Sequence, residues 1–455
     1  MKPFEGLRVV DLSQVWAGPV AARVLADLGA DVVKVERPTV PDRIRTAYIA
    51  QNDTTGNYWE RAPYYTVRNV SKRGLALDLG SDEGIAILHG LLEGADVLIE
   101  SYTPRVLENF GLAWNDLKDR YPRLIMMSLC GYGQTGPRRN SPAFGMGMEP
   151  ASGIASVSGY EGEPPLKSGN TWVDPFAGIH GLGGLLTALY HREHSGRGQQ
   201  IDVSMQEGLL QLLGPHFHDY WMNGRLHPGS GNRREGLVRG IYRCAGEDDW
   251  IAISVRDEAE WAALARTTGN DAWLDDDRLA TMAGRHEHHD EIDAAISEWT
   301  ASRDKFAAME ELQAAGAPAG AVLNARELMQ NEHLLARGLW DAQPVRGFAT
   351  VPVQRYFPAH VDGEGYGARG PAPHIGEHTD EVLRELLGYD DAKIAELREA
   401  GVIDGEPEML TPPESRAALI QPIDVFLESG SILEVDELHL ERMAEVVARI
   451  EAGAG

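Results

Sequence analysis

Apolar positions in the N-terminal half switch repeatedly between two periods. GLRVVDL is a short β-branched run ending at Asp11. VAARVLADLG then carries apolar residues at helical spacing and stops at Gly29, and ADVVKVE is a second apolar strand ending at Glu36. A strand–helix–strand unit of this length predicts a parallel pair joined by a right-handed crossover. The alternation continues through RGLALDL, the helix EGIAILHGLLEGA, the strand DVLIES, the helix PRVLENFG and the strand RLIMMSLCGYG. Such a pattern predicts an α/β fold with an open parallel sheet covered on both faces.

After Met205 the texture changes. EGLLQLLGPHFHDYWMNG reads as an apolar, aromatic helix belonging to the core, and RLHPGSGNRREG as a linker or flexible loop. Strand-like IYRCAG and WIAISV bracket the turn GEDD, and helical EWAALARTTG, EIDAAISEWTAS and KFAAMEELQAAG follow. Residues 225–330 are therefore expected to form a smaller α+β domain with its linker, and 1–224 with 331–403 the large domain. Residues 404–455 form an acidic C-terminal extension ending in the amphipathic run VDELHLERMAEVVARIEAG, which either packs as an added helix or is partly disordered. A chain of 455 residues is long enough for two cores.

The net charge of -27 argues against nucleic acid or an anionic membrane as the main partner. A small anionic ligand would need a local cationic cluster, such as Lys34 with Arg37, Lys72 with Arg73, or Arg192 with Arg197; otherwise these are solvated surface charges. No apolar run is long enough to span a bilayer, and MKPFEGLRVV lacks the apolar core of a signal peptide. Cys130 and Cys244 lie in apolar strand-like runs, so inert buried thiols and a cytoplasmic location are expected.

Glu36 ends the second strand where a ribose-binding acid would sit. The first turn, Ser13 to Pro19, nevertheless has a single glycine where a dinucleotide fingerprint needs three, which argues against NAD or FAD. The cluster Arg285-His286-Glu287-His288-His289-Asp290 is expected to be a solvated helix start, and no metal is expected. His216 and His218 are expected to be satisfied core or interface groups.

Between Gly169 and Met205, one carboxylate, Asp174, stands between Trp172-Val173 and a proline at the start of a glycine-studded helix. An Asp at such a place caps the free N–H groups of the first turn. The same place holds a carboxylate at the positive end of the helix dipole, where an anionic ligand can approach. Spacing alone leaves both readings open.

Longer motifs add to this. FEGLRVVDLSQVWAGPVAARVLADLGADVVKVERP, NVSKRGLALDL, ADVLIESYTPRVLENFGL, RLIMMSLCGYGQTGP, LTALYHREHSGRGQQIDVSM and APHIGEHTDEVLRELLGYDDAKIAELREAGVI together resemble the class III CoA-transferases, also called the CaiB/BaiF family, over about residues 3–403. That family includes formyl-CoA transferases, carnitine CoA-transferase and α-methylacyl-CoA racemase. The resemblance implies a large Rossmann-like domain with an inserted smaller domain, an interlocked homodimer, and acyl-CoA with a small carboxylic acid as substrates. It implies that Asp174 is the nucleophile, forming an aspartyl acyl anhydride and then an aspartyl-CoA thioester. It places Val15, Trp16 and Ala17 along the thioester and pantetheine, and Arg37, Leu77, Ser101 and Tyr102 toward the nucleotide. Asn109 stands where some transferases carry a phosphate-binding arginine, for which Arg105 can substitute.

Two departures bear on the reaction. Phe144-Gly145 replaces the Gly-His pair of the racemases, which removes one of their acid/base groups, and Gly145 implies a roomier acyl pocket. The PGSGN loop around Gly229–Gly231 has fewer glycines than the lid of the formyl-CoA transferases, which argues against an oxalate/formate pair. Racemisation of a 2-methylacyl-CoA and a CoA-binding subunit without chemistry are the alternatives to transfer.

Overall fold

In the computed structural model, residues 2–234, 236–407 and 423–453 are described. The first strand, β1 (Arg8–Asp11), is followed by α1 (Ala17–Asp27), β2 (Asp31–Glu36), α2 (Pro63–Asn69), β3 (Arg73–Ala76), α3 (Asp82–Glu93) and β4 (Val97–Glu100). Then come α4 (Pro104–Asn109), α5 (Trp114–Leu117), β5 (Ile125–Cys130), α6 (Gly145–Ala151), α7 (Val173–Ser195) and β6 (Gln200–Ser204). All six strands run parallel in one sheet, in the order β3-β2-β1-β4-β5-β6. β1 through β5 are the expected apolar runs. β6 carries Gln200 and Asp202 between its apolar residues because it lies at the sheet edge, where one side is open to water.

The chain divides into two compact units, residues 1–152, 168–214 and 329–455 in the first, 153–167 and 215–328 in the second. In the first unit one sheet face packs Val10, Val33, Leu75, Leu98 and Met126 against Leu88 and Leu91 of α3 and against Leu383 and Leu397 of the helices Thr379–Leu387 and Asp391–Glu399. α7 lies directly against the first turn of α1: a Cβ at Gly178 would sit 2.4 Å from the Ala17 carbonyl oxygen, so only glycine allows this approach. The helix His439–Glu451 of the C-terminal extension buries Val446 and Val447, packs on the hairpin Trp340–Pro344 and Thr350–Gln354, and is tied by Arg449 to Glu332 at 2.7 Å. The part of that extension over 408–422 lies outside the described residues.

The second unit contains a three-stranded antiparallel sheet of Val238–Arg243, Trp250–Val255 and Ala319–Ala321. Its core holds Tyr242, Ile251, Ile253, Leu264 and Ile296, with Trp261 stacked on Trp273 at 5.1 Å between ring centroids. The glycines of PGSGN serve packing there: the Gly231 N–H donates to the Gly159 carbonyl at 2.7 Å, and a Cβ at Gly229 would lie 2.5 Å from the same oxygen.

Two expectations are corrected. The aromatic run after Met205 breaks into Met205–Leu210 and Gly214–Asn223, and the second helix buries no residue within this chain; Trp221 is 75% exposed. The histidine-rich cluster does span a helix start with His286, Glu287 and Asp290 exposed, but it is not solvated throughout, since Arg285 and His289 are buried. Arg285 donates to Glu258 and to the Leu279 carbonyl and lies over Trp261, while His289 faces Asp293 at 3.6 Å. Among the described residues no group of His, Cys, Asp and Glu is arranged to hold a metal, and no helix is long and apolar enough to cross a membrane.

Candidate active site

Strand order reverses between β1 and β4, so their following loops part and leave a crevice at the carboxyl ends of the strands. The turn after β1 is pinned from below by buried charges. Asp11 accepts from Lys72 at 2.8 Å and from the Ser13 N–H and hydroxyl. Lys34 donates to the Ser13 carbonyl at 2.6 Å and pairs with Asp42 at 3.4 Å. Asp42 in turn accepts the Val15 N–H at 3.1 Å. Val15 has φ 67, a region a β-branched residue rarely occupies, and the buried network holds it there.

These contacts settle the cationic clusters. Lys34 and Lys72 are buried counter-ions of the turn rather than solvated charges or ligand hooks, and burial lowers the Lys72 ammonium to about 8. Arg192 is likewise buried, on Asp96 at 2.9 Å. Glu36, the ribose-acid candidate, accepts from Arg45 at 2.7 and 2.9 Å and from the Tyr65 hydroxyl at 2.9 Å, and has no free oxygen for a ribose.

Across the crevice, the Gln14 N–H donates to the Ser101 hydroxyl at 2.9 Å, and the Gln14 amide reaches the Tyr102 hydroxyl at 3.1 Å. Between these loops opens a cavity of about 280 Å³ lined by Val15, Ala17, Ser101, Tyr102, Cys130, Phe144 and Asp174 among others. No histidine is among the described residues that line it. Burial pushes the Cys130 thiol up to about 11, which keeps it protonated and inert, as expected from its apolar strand.

Asp174 does not cap its helix. α7 begins at Val173, Trp172 is the N-cap, and Asp174 is the second helical residue, 8% exposed, with its carboxylate at the positive end of the dipole. Burial pushes its carboxyl up to about 6, against the opposing pull of Arg68 and of its own amide. The missing side chain at Gly145 makes room for this carboxylate: a Cβ there would lie 1.9 Å from Asp174 Oδ2. The roomier acyl pocket read from Gly145 is therefore space that the Asp174 carboxylate fills.

Arg68, on α2, is the residue that sequence reading passes over. It is 3% exposed, with its guanidinium 3.9 Å from the Trp16 ring centroid and 4.2 Å from that of Tyr64. No period or motif marks it out. Only the fold brings the arginine to the first turn, from where its charge reaches Asp174.

A family model for "CoA-transferase family III" matches residues 4–379. The chain belongs to that family. This class III CoA-transferase is 32% identical over 446 residues to a formyl-CoA:oxalate CoA-transferase of Rhodopseudomonas palustris, covering 92% of this chain and 99% of the relative. It is 30% identical over 408 residues to a succinyl-CoA--D-citramalate CoA-transferase of Chloroflexus aurantiacus, covering 88% and 98%. A crystal structure of a CaiB/BaiF family protein from Brucella suis superposes with a TM-score of 0.76 at 26% identity, covering 85% of this chain and 99% of that one. The chain is thus an acyl-CoA:carboxylate CoA-transferase. The two named relatives act on different acids, so likeness alone gives no acid pair.

The fold gathers Val15, Ala17, Ser101, Tyr102 and Asp174 of the transferase around one cavity, and Trp16, between Val15 and Ala17 on the same turn, stacks on Arg68. The remaining expected contacts stand apart from it. Arg37, just after β2, is half-exposed and pairs with Asp78 at 3.1 Å; Leu77, just after β3, is fully buried. Arg105 and Asn109 sit on α4, where the Arg105 N–H donates to the Asn140 side chain at 3.3 Å.

Proposed function

We propose that this transferase moves CoA from an acyl-CoA to a carboxylic acid with Asp174 as covalent nucleophile. The observation that carries the reading is a nearly buried carboxylate, without an ion-pair partner among the described residues, lining the switch-point cavity. An Asp174 oxygen attacks the thioester carbonyl carbon. The C–S bond breaks, the CoA thiolate leaves with the electron pair, and an aspartyl acyl anhydride remains. The thiolate then attacks the aspartyl carbonyl, expelling the acyl group as its carboxylate and leaving an aspartyl-CoA thioester. An oxygen of the second acid attacks that thioester and releases the thiolate. The thiolate takes the new acyl group from the resulting anhydride, which restores the Asp174 carboxylate. Burial raises the free energy of the ionised carboxylate, and a shielded cavity protects anhydrides from hydrolysis.

Val15, Trp16 and Ala17 are assigned to the thioester and pantetheine, and Ser101 and Tyr102, expected on the nucleotide side, are reassigned to this end because they line the same cavity as Asp174. Arg37, Arg105 and Asn109 are assigned to the nucleotide, while Leu77, which the resemblance also places there, is enclosed in the core and can offer only its backbone. A homodimer fits the exposed Phe217, Tyr220, Trp221 and Met222, and sedimentation of the purified protein tests it. The lack of a histidine among the described lining residues supports transfer over racemisation, which needs a second proton carrier.

The test is to incubate the enzyme with acyl-CoA, trap with hydroxylamine or borohydride, and map the modified residue by mass spectrometry. Modification of Asp174 is the expected result. Deuterium exchange at the acyl α-carbon with no adduct would instead favour isomerisation. CoA bound with neither signal would favour a binding subunit.

A further inference from the structure

Two buried N–H donors at the first turn have no acceptor among the described residues. One is Arg68 Nε, the other Trp16 Nε1. Arg68 is almost fully enclosed, forms no ion pair among the described residues, and anchors through Nη1 on the Tyr64 carbonyl at 2.6 Å. Its flat face is covered by Trp16 and Tyr64, whose rings stand edge-to-face at 6.0 Å, so the guanidinium is left only its edge for hydrogen bonding. Trp16 sits between Val15 and Ala17, both of which line the cavity, and the charge of Arg68 reaches Asp174.

Buried donors are almost always paired, and two left unpaired on a turn whose neighbouring residues line a cavity are poised for a ligand that supplies the acceptors. The missing chemistry is specific. The acceptor must be negative, to meet an uncompensated guanidinium, and planar, to meet its edge. A carboxylate has both properties.

We propose that Arg68 and Trp16 form the subsite for the carboxylate of the acid substrate, holding it edge-on beside the aspartyl-CoA thioester. This rests on the Asp174 reading above. In the step concerned, one carboxylate oxygen bonds to the aspartyl carbonyl carbon as the C–S bond breaks and the thiolate leaves with its electron pair. Arg68 and Trp16 hold the other oxygen and exchange no proton.

Separating charging from discharge tests both ideas. The enzyme is charged with acetyl-CoA, propionyl-CoA or succinyl-CoA at about pH 8.5, where a moderately raised carboxyl is ionised with or without Arg68. The adduct is freed of ligand, then acetate, oxalate or succinate is added, and loss of the adduct is followed by intact mass. Arg68→Met should charge within about threefold of wild type yet discharge about 30-fold more slowly, the scale of a lost charged hydrogen bond. Arg68→Lys should recover part of the discharge rate, and Trp16→Phe should slow discharge by about five-fold. A melting curve for each variant establishes that it is folded. Discharge of Arg68→Met at the wild-type rate overturns the subsite, as does an equal fall in charging and discharge. Failure of the wild type to charge with any of the three donors overturns the Asp174 chemistry and the subsite with it.

Discussion

Asp174 Oδ2 occupies the space that a side chain at residue 145 would fill, at 1.9 Å from the Cβ position of Gly145. Thr171 and Val173 crowd the same point at 2.0 and 2.9 Å, so the carboxylate has one place and glycine 145 keeps it open. Gly145→Ala must displace the nucleophile by a large part of an ångström. The expected result is a folded protein whose acylation by acyl-CoA falls about a hundredfold, the usual penalty for misplacing a reacting group by that distance. Acylation at the wild-type rate would show that Asp174 has a second working position.

Asp174 is also a source of instability. Its folded carboxyl titrates at about 6 against 3.8 in an unfolded chain, so the folded protein binds the proton more tightly. The associated stability is present below about 3.8 and is lost as pH rises through about 6. Asp174→Asn removes the titration. It should melt higher than wild type above pH 6 by about 1–3 kcal/mol of stability, with the difference shrinking toward pH 4, while transfer falls at least about a thousandfold. Paired melting curves across that range check the sign.

Glu36 behaves oppositely. Burial raises its carboxyl, but Arg45 outweighs this and brings it from 4.5 to about 2. Its stabilisation is present above about 4.5 and is lost as pH falls toward 2, an order of 3 kcal/mol. Glu36→Gln should be less stable at neutral pH, because Arg45 loses the more deeply buried of its two counter-ions and keeps only Glu60, and should show a shallower acid limb in urea unfolding.

Lys34→Met tests the foundation of the first turn. The substitution leaves Asp42 buried without its ammonium partner and the Ser13 carbonyl without a donor, and should cost about 3–5 kcal/mol. Because Asp42 also fixes the Val15 N–H, acyl-CoA binding should weaken in whatever fraction remains folded. Chemical denaturation and titration calorimetry measure the two effects separately.

Much of this architecture is written locally. Strands β1 to β5 and helices α1, α3 and α7 are visible in the pattern of their apolar residues, because the strands bury both faces as near-continuous apolar runs and the helices bury an apolar face. β6 is not, since an edge strand with Gln200 and Asp202 lacks an unbroken apolar run. Neither is the burial of Lys34, Lys72, Arg192, Arg285 and His289. Whether a charge is solvated or enclosed depends on its partner, and Asp42, Asp11, Asp96, Glu258 and Asp293 come from other elements or other turns.

The sequence by itself determined the alternating α/β layering, the family and the candidate nucleophile, since these reside in short-range period and contiguous motifs. Tertiary structure alone decided what surrounds that nucleophile. Residues 16, 68, 145 and 174 share no element, and only the tertiary fold stacks Arg68 on Trp16 and leaves at Gly145 the gap that the Asp174 carboxylate fills. The physical reason is that desolvation and steric exclusion act through space, and no spacing along the chain encodes them.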